Sequence, residues 1–322
     1  MNMINKKGKG GRGLLAKGKT KFLSVGGGTP PDRNLLVMTG TSCNNLCLFC
    51  SARSMRRLFD RSTAEIAAEL SSHKGTSSRV EFIGGEFTIR PDAAALVRLC
   101  RRLGYRYVSL ETNGKMFAYP VFAEDMVKAG LSHITFSLHG ATARTHDKLT
   151  GSPGAFRQAM AGLKNAAALG ADLSVNFVVT KLNYREIPAF TRRVGAMRGV
   201  RNIRFSMVRP VEHFTKKDFF KLVPRFSAVM PYLKKALRSG KVSLFSVPPC
   251  LAPGERVEDH REKLAIRKNF GELSTPGNCY DSIREMLAYG RSCGRCSLNG
   301  ACLGVWKKYL KYYGVSELKP LA

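Results

Sequence analysis

The sequence predicts an α/β fold: a partial (β/α)6 TIM-like barrel with a small C-terminal cysteine-rich extension. Three observations carry that expectation. Between residues 35 and 210, short β-prone apolar runs alternate with amphipathic stretches of helical period. Repeated strand–helix–strand units imply parallel strands joined by right-handed crossovers, and six units make a partial barrel rather than a closed eightfold one. Beyond about residue 240 the alternation gives way to a proline-rich stretch and then a group of cysteines.

The strand-like runs are 35–39, 79–83, 106–110, 133–138, 173–179 and 202–207, rich in Val, Ile, Phe, Leu and Tyr. Helices are expected between them. Thr63 is a candidate N-cap ahead of Glu65, Ile66 and Leu70. Pro91 opens the next helix, with Leu96 and Leu99 on its apolar face and Gly104 as its stop. Further helices are expected over 123–129, 155–169 and 184–197, and a stretch over 219–237 must kink or divide at Pro224 and Pro231. The resulting division is a basic flexible tail over 1–31, the barrel core over 32–240 and the extension over 241–322.

Composition supports a large core: 44% of the 322 residues are hydrophobic. No run of about 18 apolar residues exists, so no membrane span is expected, and the basic N-terminus lacks the apolar stretch of a signal peptide. The nine cysteines cluster toward the two ends of the chain. In a cytoplasmic protein, which is the expectation, such clusters read as metal ligands rather than disulfides. Net charge is +30, from 53 Lys and Arg against 23 Asp and Glu, and residues 1–31 contain no acid. Such a surface attracts polyanions, so a nucleic-acid partner stands beside the plainer reading of a solvated basic surface.

Cys43, Cys47 and Cys50 follow the first strand with the spacing C-x3-C-x2-C. Three thiolates can hold three irons of a [4Fe-4S] cubane, leaving the fourth iron open to a cofactor, unlike the usual four-cysteine site. Zinc normally takes four ligands, and no fourth lies nearby in the sequence. The second strand runs into Gly84-Gly85-Glu86, where glycines permit close backbone approach and the carboxylate can receive an ammonium.

The C-x3-C-x2-C loop, Phe49 before its last cysteine, and Gly84-Gly85-Glu86 after strand two resemble the radical S-adenosylmethionine (SAM) superfamily over about residues 35–210. The resemblance implies that SAM chelates the open iron through its amino and carboxylate groups. It also implies that Gly84, Gly85 and Glu86 contact the amino group and that Phe49 lies near the adenine. Many relatives have Pro after the glutamate; Phe87 stands here, which is expected to alter the turn while keeping the carboxylate. The implied reaction is reductive cleavage of SAM to a 5′-deoxyadenosyl radical that abstracts hydrogen from a peptide or small-molecule substrate. The implied electron donor is of the flavodoxin or ferredoxin kind.

Polar residues mark later strand ends. The Thr-Asn-Gly and Ser-Leu-His-Gly pieces resemble the molybdenum-cofactor-cyclase and peptide-modifying branches, which makes Thr112, Asn113, Ser137 and Asn176 candidate cofactor contacts. His139 is a candidate substrate-side acid/base or a hydrogen-bonded loop histidine, and Arg144 a candidate carboxylate partner or a surface cation. No catalytic group is fixed beyond these. Cys100 reads as a buried thiol on an apolar helix face.

Cys293, Cys296 and Cys302, spaced C-x2-C-x5-C, resemble part of the SPASM or twitch extensions that carry auxiliary [4Fe-4S] clusters. The longer SPASM pattern would place a further cysteine at 306, where Trp306 stands, so one auxiliary cluster is expected. Cys250 is the first choice for its fourth ligand and Cys279 the alternative; zinc on the same cysteines is the rival. The segment 304–313 is expected to pack a helix against this site. Two further readings remain at this point: an RNA-modifying radical enzyme, motivated by the charge, and a non-catalytic iron–sulfur or zinc nucleic-acid-binding protein.

Overall fold

A computed structural model describes residues 34–258 and 285–321; the basic tail and Cys279 lie outside them. Its centre is one eight-stranded sheet, ordered β1 to β8 in sequence, with every neighbouring pair parallel. The strands are β1 Asn34–Met38, β2 Arg79–Ile83, β3 Tyr107–Thr112, β4 His133–Ser137, β5 Asp172–Val179, β6 Val200–Met207, β7 Val242–Phe245 and β8 Val257–Glu258. Because each neighbour is also the next in sequence, the sheet winds one way and curls into a half-barrel, with β1 and β8 as its edges among the described residues.

The helices are α1 Thr63–Ser72, α2 Ala93–Arg102, α3 Pro120–Lys128, α4 Ala143–Thr150, α5 Ala155–Ala168, α6 Ile187–Gly195, α7 Lys216–Leu222, α8 Phe226–Leu237 and α9 Lys307–Tyr313. Helices including α2, α5, α6 and α8 cover the outer face of the sheet, where alternate strand residues such as Val80, Phe82, Val108, Leu110, Ile134 and Phe136 are fully or almost fully buried. The other set, including Glu81, Ser109, Glu111, Thr135, Ser174, Asn202 and Arg204, faces the concave side. This polar register makes the concave side a site rather than a second core.

The six expected strands are all present, and two more extend the sheet past residue 240. β7 pairs with β6 and the two-residue β8 pairs with β7. Both are too short and too close to prolines to stand out as a period-2 run. Ser62, not Thr63, caps α1: its hydroxyl accepts from Glu65 N–H while Glu65 bonds back to the Ser62 N–H, a complete capping box. Helix α4 was not expected; with one Leu in eight residues it has almost no apolar stripe. The expected helix over 219–237 divides at Pro224 into α7 and α8, while Pro231 lies inside α8.

After residue 285 a two-stranded antiparallel sheet pairs β9 Leu287–Ala288 with β10 Val305–Trp306, and the cysteine turns lie between them. Helix α9 follows at once. Its Tyr309 ring lies 4.6 Å from Phe226 and its Tyr312 ring 4.7 Å from Phe219, so α9 docks on α7 and α8. The residues just before it, Gly304 and Val305, are the ones that line the cysteine cavity.

Candidate active site and second cysteine site

The β1–α1 loop presents Cys43, Cys47 and Cys50 at the mouth of the half-barrel. Its course is pinned from three sides. Asp60 accepts the backbone N–H groups of Thr41 and Ser42, each at 3.0 Å. The loop's Leu46 and Leu48 N–H groups donate to Thr150 and Leu149 carbonyls at the end of α4, at 2.7 and 2.9 Å. Lys115 donates to the Asn44 carbonyl at 3.0 Å, and Asn113 Nδ2 donates to Asn44 Oδ1 at 2.6 Å.

Gly84 and Gly85 sit directly under this loop. Gly85 N–H donates to Gly40 O and Glu86 N–H to Ser42 O, both at 2.7 Å. Gly84 has φ +125°, and a Cβ there would stand 2.5 Å from Gly40 O; one on Gly85 would stand 2.0 Å from Ser42 O. The close approach that these glycines permit is therefore to the cysteine loop itself. Glu86 is buried, and its carboxylate accepts four hydrogen bonds: from Thr88 N–H, Thr88 Oγ1 and Thr112 Oγ1 on one oxygen, and from Asn113 N–H at 2.7 Å on the other. It ties the ends of β2 and β3 together, and its second oxygen retains room for another donor. Phe87 opens a short 3-10 turn and stacks on Phe82 at 4.2 Å, so the turn keeps the carboxylate in place without proline.

One cavity gathers most of the candidate residues. Cys43, Cys47, Cys50 and Phe49 line it on the loop side, Gly84, Gly85 and Glu86 below, and Thr112, Asn113, Ser137, His139 and Asn176 along the strand ends. Arg144 is not among them: it is exposed on α4. The cations that do line the cavity are Arg204 and Arg209. Arg204 pairs closely with Glu111, stands 4.0 Å from Glu258 and donates to Asn176 Oδ1 at 3.4 Å. Arg209 donates to Ser51 Oγ at 3.1 Å. The signal for Arg204 was the alternation of polar Asn202, Arg204 and Ser206 with apolar Ile203, Phe205 and Met207, which puts the arginine on the register that faces inward.

His139 is held on every side but one. Val178 N–H donates to its Nδ1 at 3.1 Å, so the neutral ring carries its proton on Nε2. Its own N–H donates to His146 Nδ1 at 3.0 Å, and Asn183 Nδ2 donates to its carbonyl at 2.9 Å. The Phe49 ring meets it edge-on at 4.8 Å. Burial, then the neighbouring His146, holds the His139 pKa well below the usual range.

Burial raises the pKa of both Cys43 and Cys47; for Cys47 the adjacent Cys50 and Cys43 raise it further. The raised Cys43 and Cys47 values mark a site short of positive charge, which bound iron would supply.

The second group converges too. Cys250, Cys293, Cys296 and Cys302 line one cavity with Pro248, Pro249, Tyr289 and Leu318. Burial raises the Cys250 and Cys302 pKa values, with charge from the other cysteines adding to each. Gly304 N–H donates to Cys302 Sγ at 3.2 Å and Leu321 N–H to Cys296 Sγ at 3.4 Å, so the sulfurs already face backbone donors that suit thiolates. Among the described residues no three His, Cys, Asp or Glu side chains are grouped closely enough to hold a single metal ion.

Comparison with known proteins decides the family. The Radical SAM superfamily model matches residues 37–194. A probable GTP 3′,8-cyclase of Saccharolobus islandicus (strain M.14.25 / Kamchatka #1) is 30% identical over 220 residues, covering 65% of this chain and 70% of the relative. The chain belongs to the radical SAM superfamily. Members of this family use a [4Fe-4S] cluster and SAM, and the chain is a radical SAM enzyme. Fe-coproporphyrin III synthase of Methanosarcina barkeri (strain Fusaro / DSM 804) is 35% identical over 150 residues, covering 46% of this chain and 37% of that protein. In fold, the radical SAM chain is similar to Streptococcus suis SuiB bound to S-adenosylmethionine. The TM-score is 0.59 at 16% identity, over 87% of this chain and 74% of that one.

Proposed function

We propose that Cys43, Cys47 and Cys50 hold the SAM-binding [4Fe-4S] cluster and that the enzyme abstracts hydrogen from a peptide or small-molecule substrate in the cavity beneath them. The chemistry supplied when cluster and SAM are bound is one-electron cleavage of the sulfonium to methionine and a 5′-deoxyadenosyl radical. The observation that carries the reading is the gathering of the three thiols, Phe49 and the free side of Glu86 around one cavity.

The chain's own residues have separable roles. Glu86 Oε2, with a single donor from Asn113 N–H, accepts from the cofactor's ammonium. Asn176 and Ser206, themselves joined at 2.7 Å, and Ser137 present hydroxyl and amide groups to the cofactor's polar edge. Arg209 uses one donor on Ser51 and keeps others for an anionic group of the substrate. A nucleotide, such as the relative's name implies, or a peptide carboxylate would satisfy it. Cys250, Cys293, Cys296 and Cys302 hold an auxiliary [4Fe-4S] cluster. The basic surface suits an acidic electron donor of the flavodoxin or ferredoxin kind.

The test is anaerobic reconstitution followed by SAM and dithionite. The wild type is expected to form 5′-deoxyadenosine, and the Cys43→Ala/Cys47→Ala/Cys50→Ala variant none. An iron-loaded wild type that forms none would favour a non-catalytic iron–sulfur protein instead.

A further inference from the structure

The face built by α7 and α9 is exposed and combines aromatic rings with cations in a way that neither cysteine site uses. Phe220 on α7 is 39% exposed, and its ring lies 5.4 Å from Tyr312 and 5.9 Å from Tyr313 of α9. Lys181 donates to the Phe220 carbonyl at 2.8 Å, which holds its ammonium 5.8 Å from the rings of both Phe220 and Tyr313. Arg225 lies 4.4 Å from the Tyr313 ring and Lys311 5.7 Å from the Tyr312 ring.

The acids nearby are engaged. Asp218 closes the capping box of α7 with Thr215. Glu317 accepts from Tyr309 and from Ser227 N–H and stands 4.0 Å from Arg225. Helix α7 meanwhile exposes Lys216, Lys217 and Lys221. A net charge of +30 places this face in a positive field that draws polyanions.

We propose that the α7/α9 face binds single-stranded polynucleotide, with a base stacked on Phe220 and phosphates held by Lys181, Arg225, Lys311 and the α7 lysines. Cations that track the backbone around a ring that accepts any base are the parts such sites require. A duplex hides its base faces from the ring, and an acidic peptide would meet the cations but offer the ring no planar partner. The inference is independent of the radical chemistry and of which substrate fills the barrel.

The test measures binding of the full-length protein to a labelled oligouridine of about 12 nucleotides, long enough for one such site. Phe220→Leu keeps an apolar side chain and removes the ring face; its affinity is expected to fall at least about fivefold with the salt slope unchanged. Phe220→Trp is expected to bind as the wild type does, which separates stacking from folding. Lys181→Gln/Lys217→Gln/Lys311→Gln is expected to flatten the log–log salt dependence by about 2. Removing three exposed lysines elsewhere (Lys164→Gln/Lys234→Gln/Lys235→Gln) is expected to leave the slope unchanged. Wild-type affinity in Phe220→Leu, an equal slope change in the control variant, or polyglutamate competing as well as oligouridine would each overturn the proposal.

Discussion

Burial makes His139 and His146 neutral hydrogen-bond groups. His146 is fully buried, its Nδ1 accepts the His139 N–H, and burial lowers its pKa to about 4. An unfolded histidine titrates near 6.5, so between pH 6.5 and 4 the unfolded chain binds the extra proton and stability falls as pH falls. That contribution is complete above pH 6.5 and amounts to about 3 kcal/mol for His146. His146→Asn retains an acceptor for the His139 N–H, and its unfolding free energy is expected to depend less steeply on pH in that window, by up to one proton. Denaturant titrations at several pH values check this; an unchanged slope would contradict it. Glu86 gives a second expectation at this scale. Glu86→Gln points an amide donor at one of four existing donors and is expected to cost about 1–3 kcal/mol by the same titrations. Neither network was legible beforehand. Val178 and Asn113 reach His139 and Glu86 only through the parallel register of the sheet, and His146 reaches His139 from α4, an element with too few apolar residues to stand out in the sequence.

Elements explain how the cysteine loop is held in place. The Gly84–Glu86 turn lies backbone to backbone on residues 40–42, and a methyl on Gly85 would collide with Ser42 O. Gly85→Ala is expected to lose most of the iron at the first site while residual far-UV helix signal persists; iron and sulfide analysis reads the loss. The capping box of α1 makes a milder expectation: Ser62→Ala costs about 1 kcal/mol and leaves iron content unchanged. Long strands and helices were legible because their periodicity is local: β2 begins and ends where the pattern does, and α5 differs by one residue at its end. Short or nearly stripeless elements were not. α4, with Leu149 as its only large aliphatic residue, and the two-residue β8 exist because the surrounding fold supplies their partners.

For the whole molecule, the design is a polar half-barrel with one cysteine site at its mouth and a second beyond β8. Cys43, Cys47 and Cys50, and likewise Cys293, Cys296 and Cys302, were legible because their spacing is written in nearby residues, whereas Cys250 joins the second group across the fold. Their surroundings were less so: Arg144 looked suitable in sequence, but the fold turns it to solvent and brings Arg204 and Arg209 from β6 and the segment after it to the cavity. Two clusters imply about eight irons per chain, and Cys293→Ala/Cys296→Ala/Cys302→Ala is expected to retain about four. The central claim is that the iron held at Cys43, Cys47 and Cys50 has an open position that SAM occupies. Electron paramagnetic resonance of the dithionite-reduced protein, with and without SAM, tests it most directly. In the variant lacking Cys293, Cys296 and Cys302, the reduced-cluster signal is expected to shift on adding SAM. A reduced signal from that variant that SAM leaves unchanged would contradict the account.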